Sequence, residues 1–521
     1  MLIRENLLSA KLVKNNKIEL SYDEDNISMG NEFFLYENTR KIKILSIEKL
    51  EIKDNKRIIT IDIDYRFKLG RDYYIYDEFN NIFDLDISIL CRYHNLAHNY
   101  YYDGELGAIY SKEKTIFRVF SPLASKMYVH ILYDDKDDLI KEMKKDTKTG
   151  VFELELKGNY EKKKYLYIVK INSKMEEVID PYAKACDTNS HYGYIVDPNK
   201  LKVKSERKYL KKLDSKLDAI IYELSIRDFS MDESSSIINK GKYLGFLEDN
   251  LKSKKNIPLG IDYIKSLGVT HVQILPFFDF ATTDDINIKS TYNWGYDPLN
   301  YNIPEGSYSL NPEDAYSRII ETKKMIQKFH KEGIRVVMDV VYNHIYKFEE
   351  SNLEKILPNY YFRYSKEDVI SNGSFCGNDI ETRQLMVKKF IIDSLKMWTK
   401  EYDIDGFRFD LMGIIDKSTI LEIEKELKLI RDDLRYYNLK DYEDWYFLDS
   451  SCLYYIGIHT VIPEFSSPDY FEDLDFVTYY SLKYSVKNSH MLDWIYHWII
   501  EKMPQLSTEC IDKIIKIIES N

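Results

Sequence analysis

The feature that most constrains this chain is a repeated succession of apolar strand and amphipathic helix that begins near residue 219. Continuous apolar segments predict strands at 219–224, 269–276, 334–344 and 404–410, and helical patterns precede the last three, at 260–268, 312–333 and 382–402. Strands that are apolar on both faces are typical of a parallel sheet flanked by helices. This part of the chain is therefore expected to fold either as a (β/α)8 TIM-type barrel or as a doubly wound sheet.

Polar side chains favour the barrel, because they collect at the carboxyl ends of these strands, where barrel enzymes place their chemistry. Asp339 and His344 bracket the end of the third strand, and Arg408 and Asp410 lie at the end of the fourth. Residues two apart on a strand point to the same side, and an arginine keeps a neighbouring carboxylate ionised and usable as a nucleophile. The same spacing also fits a structural ion pair, and the histidine also fits a structural role.

The segment TYNWGYDPLNYNIPEGSY, residues 291–308, concentrates aromatic residues, turn formers and carboxylates just after a predicted strand. Trp294, Tyr296 and Asp297 stand together within it. Aromatic faces stack on the C–H-rich faces of sugar rings, so this composition suits a sugar-binding loop. It fits a well-packed loop equally well.

The length and the remaining patterns predict a multidomain protein. Residues 1–95 alternate apolar and charged positions with a period of two, which predicts an N-terminal β domain. Residues 96–205 carry short strands separated by turns, as in a β-sandwich, and a basic, helical-looking stretch around 202–212 follows as a linker. Residues 206–431 then form the first half of the barrel. Residues 432–521 are a diverged or incomplete remainder, because they are too few for four more βα units of about 30 residues each.

Charge and composition exclude several classes of function. The formal charge of −12, from 86 acidic and 74 basic residues, and the lack of a basic cluster interleaved with aromatic residues argue against nucleic acid as a partner. Five cysteines without a C-x-x-C pair and ten scattered histidines argue against a disulfide framework, a metal site or a metal cofactor. No apolar run approaches the roughly 20 residues of a membrane span, and the first 20 residues lack a leader pattern, so we expect a cytoplasmic protein.

Three segments, in this order, resemble the alpha-amylase superfamily: TYNWGYDP, VVMDVVYNH and GFRFDLMG. Within that superfamily, YNWGYDP points to the type I pullulanases. Upstream, YYDGELGAIYSKEKTIFRVFSPLAS and DPYAKA resemble the start and end of the starch-type carbohydrate-binding module that precedes their barrel. The resemblance covers residues 101–431.

This resemblance implies a retaining glycoside hydrolase that needs no cofactor and cleaves α-1,6 branch links in α-glucans such as pullulan and limit dextrin. Asp410 would be the nucleophile and Arg408 would orient it. Asp339 and His344 would support the sugar ring at the cleavage point. Tyr296 would stack on that ring, with Trp294 and Asp297 in the same loop. Retention of configuration requires a second carboxyl group about 5–5.5 Å from the first, as a proton donor.

The region after the nucleophile departs from the family pattern, which calls for an apolar strand ending in Gly-Glu-x-Trp. Glu443, with Trp445 two residues on, and Glu464, at the end of IGIHTVIPE, are the two candidates for the acid. The later Ser-His-Asp-Asn motif has Met491 in place of its aspartate. Alternative functions are therefore a catalytically silent or truncated glucan-binding relative, a branching enzyme or an α-1,4 amylase.

Overall fold

The structure is a computed structural model. It describes residues 7–14, 17–23, 32–53, 55–79, 81–92, 100–134, 137–213, 218–288, 290–365 and 368–430. Glu443, Glu464 and Met491, and with them the predicted remainder 432–521, lie outside the described residues.

The N-terminal part is a single mixed sheet. Its strands are β1 (Leu7–Lys14), β2 (Lys17–Asp23), β3 (Phe33–Glu37), β4 (Arg40–Leu45), β5 (Ile47–Lys53), β6 (Lys56–Asp62), β7 (Tyr73–Asp77) and β8 (Ile82–Asp86). They lie in the order β4-β3-β7-β8-β1-β2-β6-β5, and the β1–β8 pair is parallel. Ile18 and Leu20 are buried, as are Ile59 and Ile61 on β6, so the period of two in the sequence places one face of the sheet on the core.

A β-sandwich follows, as predicted. Its strands are β9 (Gly107–Tyr110), β10 (Lys114–Phe120), β11 (Lys126–Leu132), β12 (Leu139–Glu142), β13 (Lys144–Lys145), β14 (Val151–Lys157), β15 (Lys164–Ile171), β16 (Lys174–Val178) and β17 (Gly193–Tyr194). One sheet has the order β13-β14-β10-β9, and the other has the order β12-β11-β15-β16 with β17 added to β15. Phe117 of β10 contacts Tyr165 of β15 across the core, with ring centroids 5.4 Å apart.

The third part alternates strands and helices. Its strands are β18 (Ile221–Leu224), β19 (His271–Ile274), β20 (Phe278–Phe280), β21 (Pro298–Pro304), β22 (Arg335–Val340) and β23 (Gly406–Phe409). Its α-helices are α1 (Gly260–Ser266), α2 (Ser317–Lys331), α3 (Asn352–Ile356), α4 (Leu385–Glu401) and α5 (Lys417–Lys428).

Four of these strands form a parallel sheet in the order β18-β19-β22-β23, so that sheet order follows chain order, as it does around a barrel. Every residue of β19 is buried, including the polar side chains of His271 and Gln273. The antiparallel hairpin of β20 and β21 extends the loop that follows β19. The four parallel strands end at one edge of the sheet, and the polar residues predicted to carry chemistry lie there.

The sandwich contacts α2 and the segment around Asp285 through buried polar groups. Arg318 of α2 is fully buried, and its guanidinium donates to the Cys186 thiol at 3.2 Å and to the Asp285 carboxylate at 3.0 Å. Asn189 and Asp285 exchange two hydrogen bonds, at 3.0 and 2.9 Å, between side chain and backbone. The sandwich and the strand–helix region therefore share buried polar contacts, as adjoining parts of one folded body do.

The prediction of a helical linker at 202–212 is wrong. Apart from a single short 3₁₀ turn at Arg207–Tyr209, this segment has no regular secondary structure. The physical reason is tertiary, since the backbone N–H of Glu206 donates to the Gln327 side chain of α2 at 2.6 Å and is unavailable to a local helix. The lysines of the segment lack the apolar stripe that would stabilise a helix by packing.

Candidate active site

Two carboxylates share one arginine at the carboxyl ends of β22 and β23. The two strands run parallel, with Asp339 opposite Arg408. The Arg408 guanidinium donates to both oxygens of Asp339, at 2.9 and 3.0 Å, and to Oδ1 of Asp410 at 3.0 Å. Phe407 and Phe409 are buried on the opposite side of β23, so strand alternation directs Arg408 and Asp410 together into the site.

The two carboxylates differ in exposure. The Asp339 side chain is fully enclosed, whereas 16% of the Asp410 side chain is exposed. Burial raises the pKa of Asp339 to about 7, although Arg408 and the Tyr296 hydroxyl stabilise its charged form. Asp410 is therefore the carboxylate that a substrate can reach, and Asp339 is a supporting group beneath it.

Asn343 and His344, which follow β22, hold the surrounding loops. Asn343 donates from Nδ2 to the backbone oxygen of Asp410 at 2.8 Å and to its Oδ2 at 3.2 Å. His344 Nε2 donates to the backbone oxygen of Tyr296 at 2.8 Å, and its Nδ1 lies against the Asn343 amide. Burial lowers the pKa of His344, against opposing contributions from the Tyr296 carbonyl and Asp410. The histidine connects two loops of the site, and its contact with a sugar stays a prediction.

The aromatic loop brings Tyr296 onto the carboxylates. Its hydroxyl donates to Oδ2 of Asp339 at 2.7 Å, and burial raises the pKa of this hydroxyl well above its usual value. The loop depends on Gly295, which has a positive φ of 91°, and a Cβ there would lie 2.6 Å from the backbone oxygen of Pro276. The glycine allows the close approach that places Tyr296 in the site.

The other two predicted residues of this loop have different environments. Trp294 is 55% exposed, and its indole N–H donates to the Tyr292 hydroxyl. Asp297 accepts hydrogen bonds from Asn293 at 2.6 Å and Thr282 at 3.2 Å, and burial raises its pKa to about 6. Trp294 therefore offers an open aromatic face, whereas Asp297 organises the loop. Substrate contact by either residue stays a prediction.

Sequence reasoning missed a loop at residues 371–378, SNGSFCGN, which lies against the same site. Asn378 exchanges two hydrogen bonds with the backbone of Ile345, at 3.0 and 2.7 Å. Phe375 is 72% exposed and has a left-handed φ of 61°, and the charge of Asp410 contributes, after burial, to raising the pKa of the Cys376 thiol. The cluster of turn-forming residues in this segment was the available signal.

Comparison with protein families agrees with this geometry. Residues 105–183 match carbohydrate-binding module 48, the isoamylase N-terminal domain. Residues 255–433 match the alpha amylase catalytic domain, and they include the aromatic loop, β22 and β23.

Several pullulanases are similar to this chain. The pullulanase of Bacillus subtilis (strain 168) is 41% identical over 343 residues, which cover 66% of this chain and 47% of that protein. The chloroplastic Pullulanase 1 of Arabidopsis thaliana is 33% identical, covering 64% of this chain and 38% of that protein. The crystal structure of the pullulanase from Anoxybacillus sp. LM18-11 complexed with maltotriose has a TM-score of 0.75 at 37% identity, covering 82% of this chain and 62% of that one.

Residues 255–433 are an alpha-amylase catalytic domain, and the chain is pullulanase-like. This confirms the predicted fold class, an all-β N-terminal part with a carbohydrate-binding module followed by an alpha-amylase catalytic domain. The pullulanase-like chain spans about half the length of the first curated relative that it matches. The predicted domain limits at 95, 205 and 431 stay predictions.

Three expectations about the pullulanase-like chain concern groups beyond the site. Glu443 and Glu464, the candidates for the acid, lie outside the described residues. Among the described residues, no group of three or more His, Cys, Asp or Glu side chains is placed to hold a metal ion. None of the helices in the described ranges has the length and apolar character needed to cross a membrane.

Proposed function

We propose that this chain is a retaining glycoside hydrolase that cleaves α-1,6 branch links of α-glucans. The observation that carries the proposal is the Asp410 carboxylate, partly exposed, fixed by Arg408 and Asn343, and adjoining an aromatic loop at the carboxyl edge of a parallel sheet. The similarity to pullulanases supports the choice of bond, and similar pullulanase structures are complexes with maltotriose and maltose.

In the proposed mechanism, an oxygen of Asp410 attacks the anomeric carbon while the bond from that carbon to the departing oxygen breaks. A second carboxylic acid gives its proton to the departing oxygen, and the resulting glycosyl ester is then hydrolysed by water that this same group deprotonates. Arg408 and Asn343 hold Asp410 in line for attack. The proton donor is proposed to be Glu443, with Glu464 as the alternative.

Asp339 serves this reaction through its partners. It accepts from Tyr296 and Arg408 at once, and so fixes both side chains relative to Asp410. Burial raises the pKa of Asp339 to about 7, so this carboxyl loses its negative charge as the pH decreases below 7. More of the positive charge of Arg408 then acts on Asp410.

The test is reducing-sugar release from pullulan by the purified chain beside Asp410→Asn. We expect hydrolysis by the unsubstituted chain and a loss of at least about 10³-fold in the variant, because the nucleophile is removed. Asp416→Asn is the matched control, since it makes the same chemical change at a helix N-cap away from the carboxylates and should retain activity. Equal activity of Asp410→Asn and the unsubstituted chain would exclude Asp410 as nucleophile.

The acid is identified by the same assay with Glu443→Gln and Glu464→Gln. The true acid should lose most activity on pullulan, whereas the other variant should remain close to the unsubstituted chain. Hydrolysis of amylose with none of pullulan would favour an α-1,4 amylase. Retention on amylopectin by folded protein without any cleavage would identify a glucan-binding relative.

We further propose that the chain works in the cytoplasm. Cys91, Cys186 and Cys376 are free thiols, as is typical of proteins from reducing compartments. Fractionation of the source cells tests this, and recovery of the protein in the secreted fraction would contradict it.

A further inference from the structure

A groove of about 380 Å³ lies between the sandwich and the strand–helix region, outside the carboxylate site. We call it the junction groove and define it by Tyr192 of the sandwich together with Asn300, Tyr346, Lys347 and Glu350 of the strand–helix region. Its volume falls within the range of small-ligand sites, which runs from about 300 to 1,000 Å³. Such sites commonly form where two domains meet.

The walls of the junction groove are held in place before any ligand arrives. The Ile179 backbone N–H donates to the Asn352 side chain at 3.0 Å, which joins the two sides. The Ser190 hydroxyl donates to Asp279 at 2.7 Å, and Asn300 donates from Nδ2 to the same carboxylate at 2.7 Å. The orientation of the Asn300 amide in the groove is therefore fixed. A preformed groove binds without the cost of ordering its walls.

The lining suits an uncharged polar ligand with apolar faces. Tyr192 and Tyr346 are both partly exposed, one from each side of the groove, and can stack on sugar rings. The formal charges cancel, because the lysines Lys347 and Lys355 are matched by the glutamates Glu177 and Glu350. Lys347 and Glu350 are themselves paired at 3.1 Å. Hydrogen-bonding groups without net charge favour hydroxyl groups over an ion.

The junction groove and the carboxylate site share two loops. Tyr346 lies two residues after His344, so their backbones are within about 7 Å of each other. The Tyr346 backbone N–H donates to the backbone oxygen of Pro298, which directly follows the Tyr296–Asp297 pair. A ligand in the groove therefore contacts the loops that position Tyr296 and His344.

We propose that the junction groove is a second binding site for α-glucan, which holds a neighbouring stretch of the branched chain whose link is cleaved at Asp410. The choice of ligand rests on the proposed function. The site itself rests on the two tyrosines, the fixed Asn300 amide and the balanced charge of the lining.

The binding test uses the full chain carrying Asp410→Asn, to prevent turnover, and maltohexaose in a calorimetric titration. We expect two classes of site. When Tyr192→Ala and Tyr346→Ala are introduced together into this variant, one class of site should disappear or its affinity should decrease at least tenfold. Tyr209→Ala is the matched control, because Tyr209 is exposed and lies outside the groove lining. The pair Tyr192→Phe and Tyr346→Phe should restore binding, since the rings are retained.

A kinetic test separates this proposal from the proposed function. In the chain with native Asp410, Tyr192→Ala with Tyr346→Ala should raise KM for pullulan about fivefold or more, and should leave kcat for a short branched oligosaccharide unchanged. If both proteins are folded and maltohexaose binds equally to the groove variant and to Tyr209→Ala, the proposal that the groove is a binding site is wrong. Absence of pullulan hydrolysis with the binding difference intact would overturn the proposed function alone.

Discussion

Arg408 donates from one nitrogen to Asp339 and Asp410, so two acidic side chains share one cation. Asp339 is enclosed and its other contact is the Tyr296 hydroxyl, which carries no charge. Removing the guanidinium leaves a buried carboxylate without its cation, which is far more costly than breaking an exposed pair.

We expect Arg408→Met to lower the free energy of unfolding by about 3 kcal/mol or more at pH 8, where Asp339 would carry charge. The loss should be smaller at pH 5, because the pKa of Asp339 is about 7 even beside Arg408 and the carboxyl is then protonated. Denaturant titrations at both pH values measure this. Arg118→Met, which removes an arginine paired with Glu153 at the surface, should cost at most about 1 kcal/mol. Equal losses for Arg408→Met at the two pH values would contradict the explanation.

Gly295 sets the approach of the aromatic loop to β19. Gly295→Ala forces a side chain into a positive φ and against the Pro276 carbonyl, so we expect a loss of about 2–3 kcal/mol together with reduced hydrolysis of pullulan. Gly268→Ala is the control, because Gly268 also has a positive φ of 69° but nothing lies within 4 Å of the added carbon. Thermal melting should show the larger decrease for Gly295→Ala, and the reverse order would contradict the steric account.

At the scale of elements, hydrophobic periodicity was sufficient for the parallel strands and their helices. Each predicted strand contains the observed one, as residues 334–344 contain β22, because burial on both faces leaves a continuous apolar segment. The hairpin of β20 and β21 was not predicted, since β20 has three residues and is too short to show a period. The prediction of a helix at 202–212 was wrong, because it could not include the hydrogen bond from the Glu206 backbone N–H to the distant side chain of Gln327.

The candidate site was predicted where its residues lie at strand ends or in one loop. Strand alternation alone brings Arg408 beside Asp410. The contacts of Asn343 with Asp410, and of Asn378 with Ile345, were not predictable, because they join loops that are far apart in sequence.

Helix α5 follows β23 and begins with a side-chain cap. Asp416 accepts hydrogen bonds from the backbone N–H groups of Ser418 at 2.9 Å and Thr419 at 3.3 Å. We expect Asp416→Ala to lower the free energy of unfolding by about 1 kcal/mol, whereas Asp416→Asn keeps the cap and changes it by a few tenths. Chemical denaturation of both variants measures the difference. Equal stability of the two variants would show that the cap contributes nothing here.

At the scale of the whole molecule, buried carboxyl groups give folding a pH dependence. Burial raises the pKa of Asp180 and Asp279 to about 6 and that of Glu354 to about 7. A carboxyl whose pKa is raised by folding favours the folded state below its unfolded pKa, near 4, and this contribution is lost as the pH rises through the folded value. Asp405 acts in the opposite sense, because hydrogen bonding and charge from His330 lower its pKa despite burial.

We therefore expect the melting temperature to be highest near pH 4 and to fall from about pH 4 to 7, between the unfolded and folded pKa values of these carboxyl groups. At lower pH the contribution of Asp405 is lost, and at higher pH the negative net charge adds repulsion. Thermal melts across pH 3 to 9 measure the profile. In Asp339→Asn the decrease between pH 5 and 8 should be smaller than in the unsubstituted chain. A melting temperature that rises steadily to pH 8 would contradict this assignment.

Arg318, described above at the contact between the sandwich and α2, has a consequence for how such a protein can change over generations. Its guanidinium donates to Cys186 of the sandwich and to Asp285 of the strand–helix region, and Asp285 accepts a hydrogen bond from the backbone N–H of Asn189 in the sandwich. A recombination event that exchanged the sandwich for a foreign one would leave Arg318 without Cys186 and Asp285 without Asn189, unless the new sandwich supplied equivalent groups. The two parts are consequently expected to be inherited as a single unit, even though sequence comparison recognises them as separate modules.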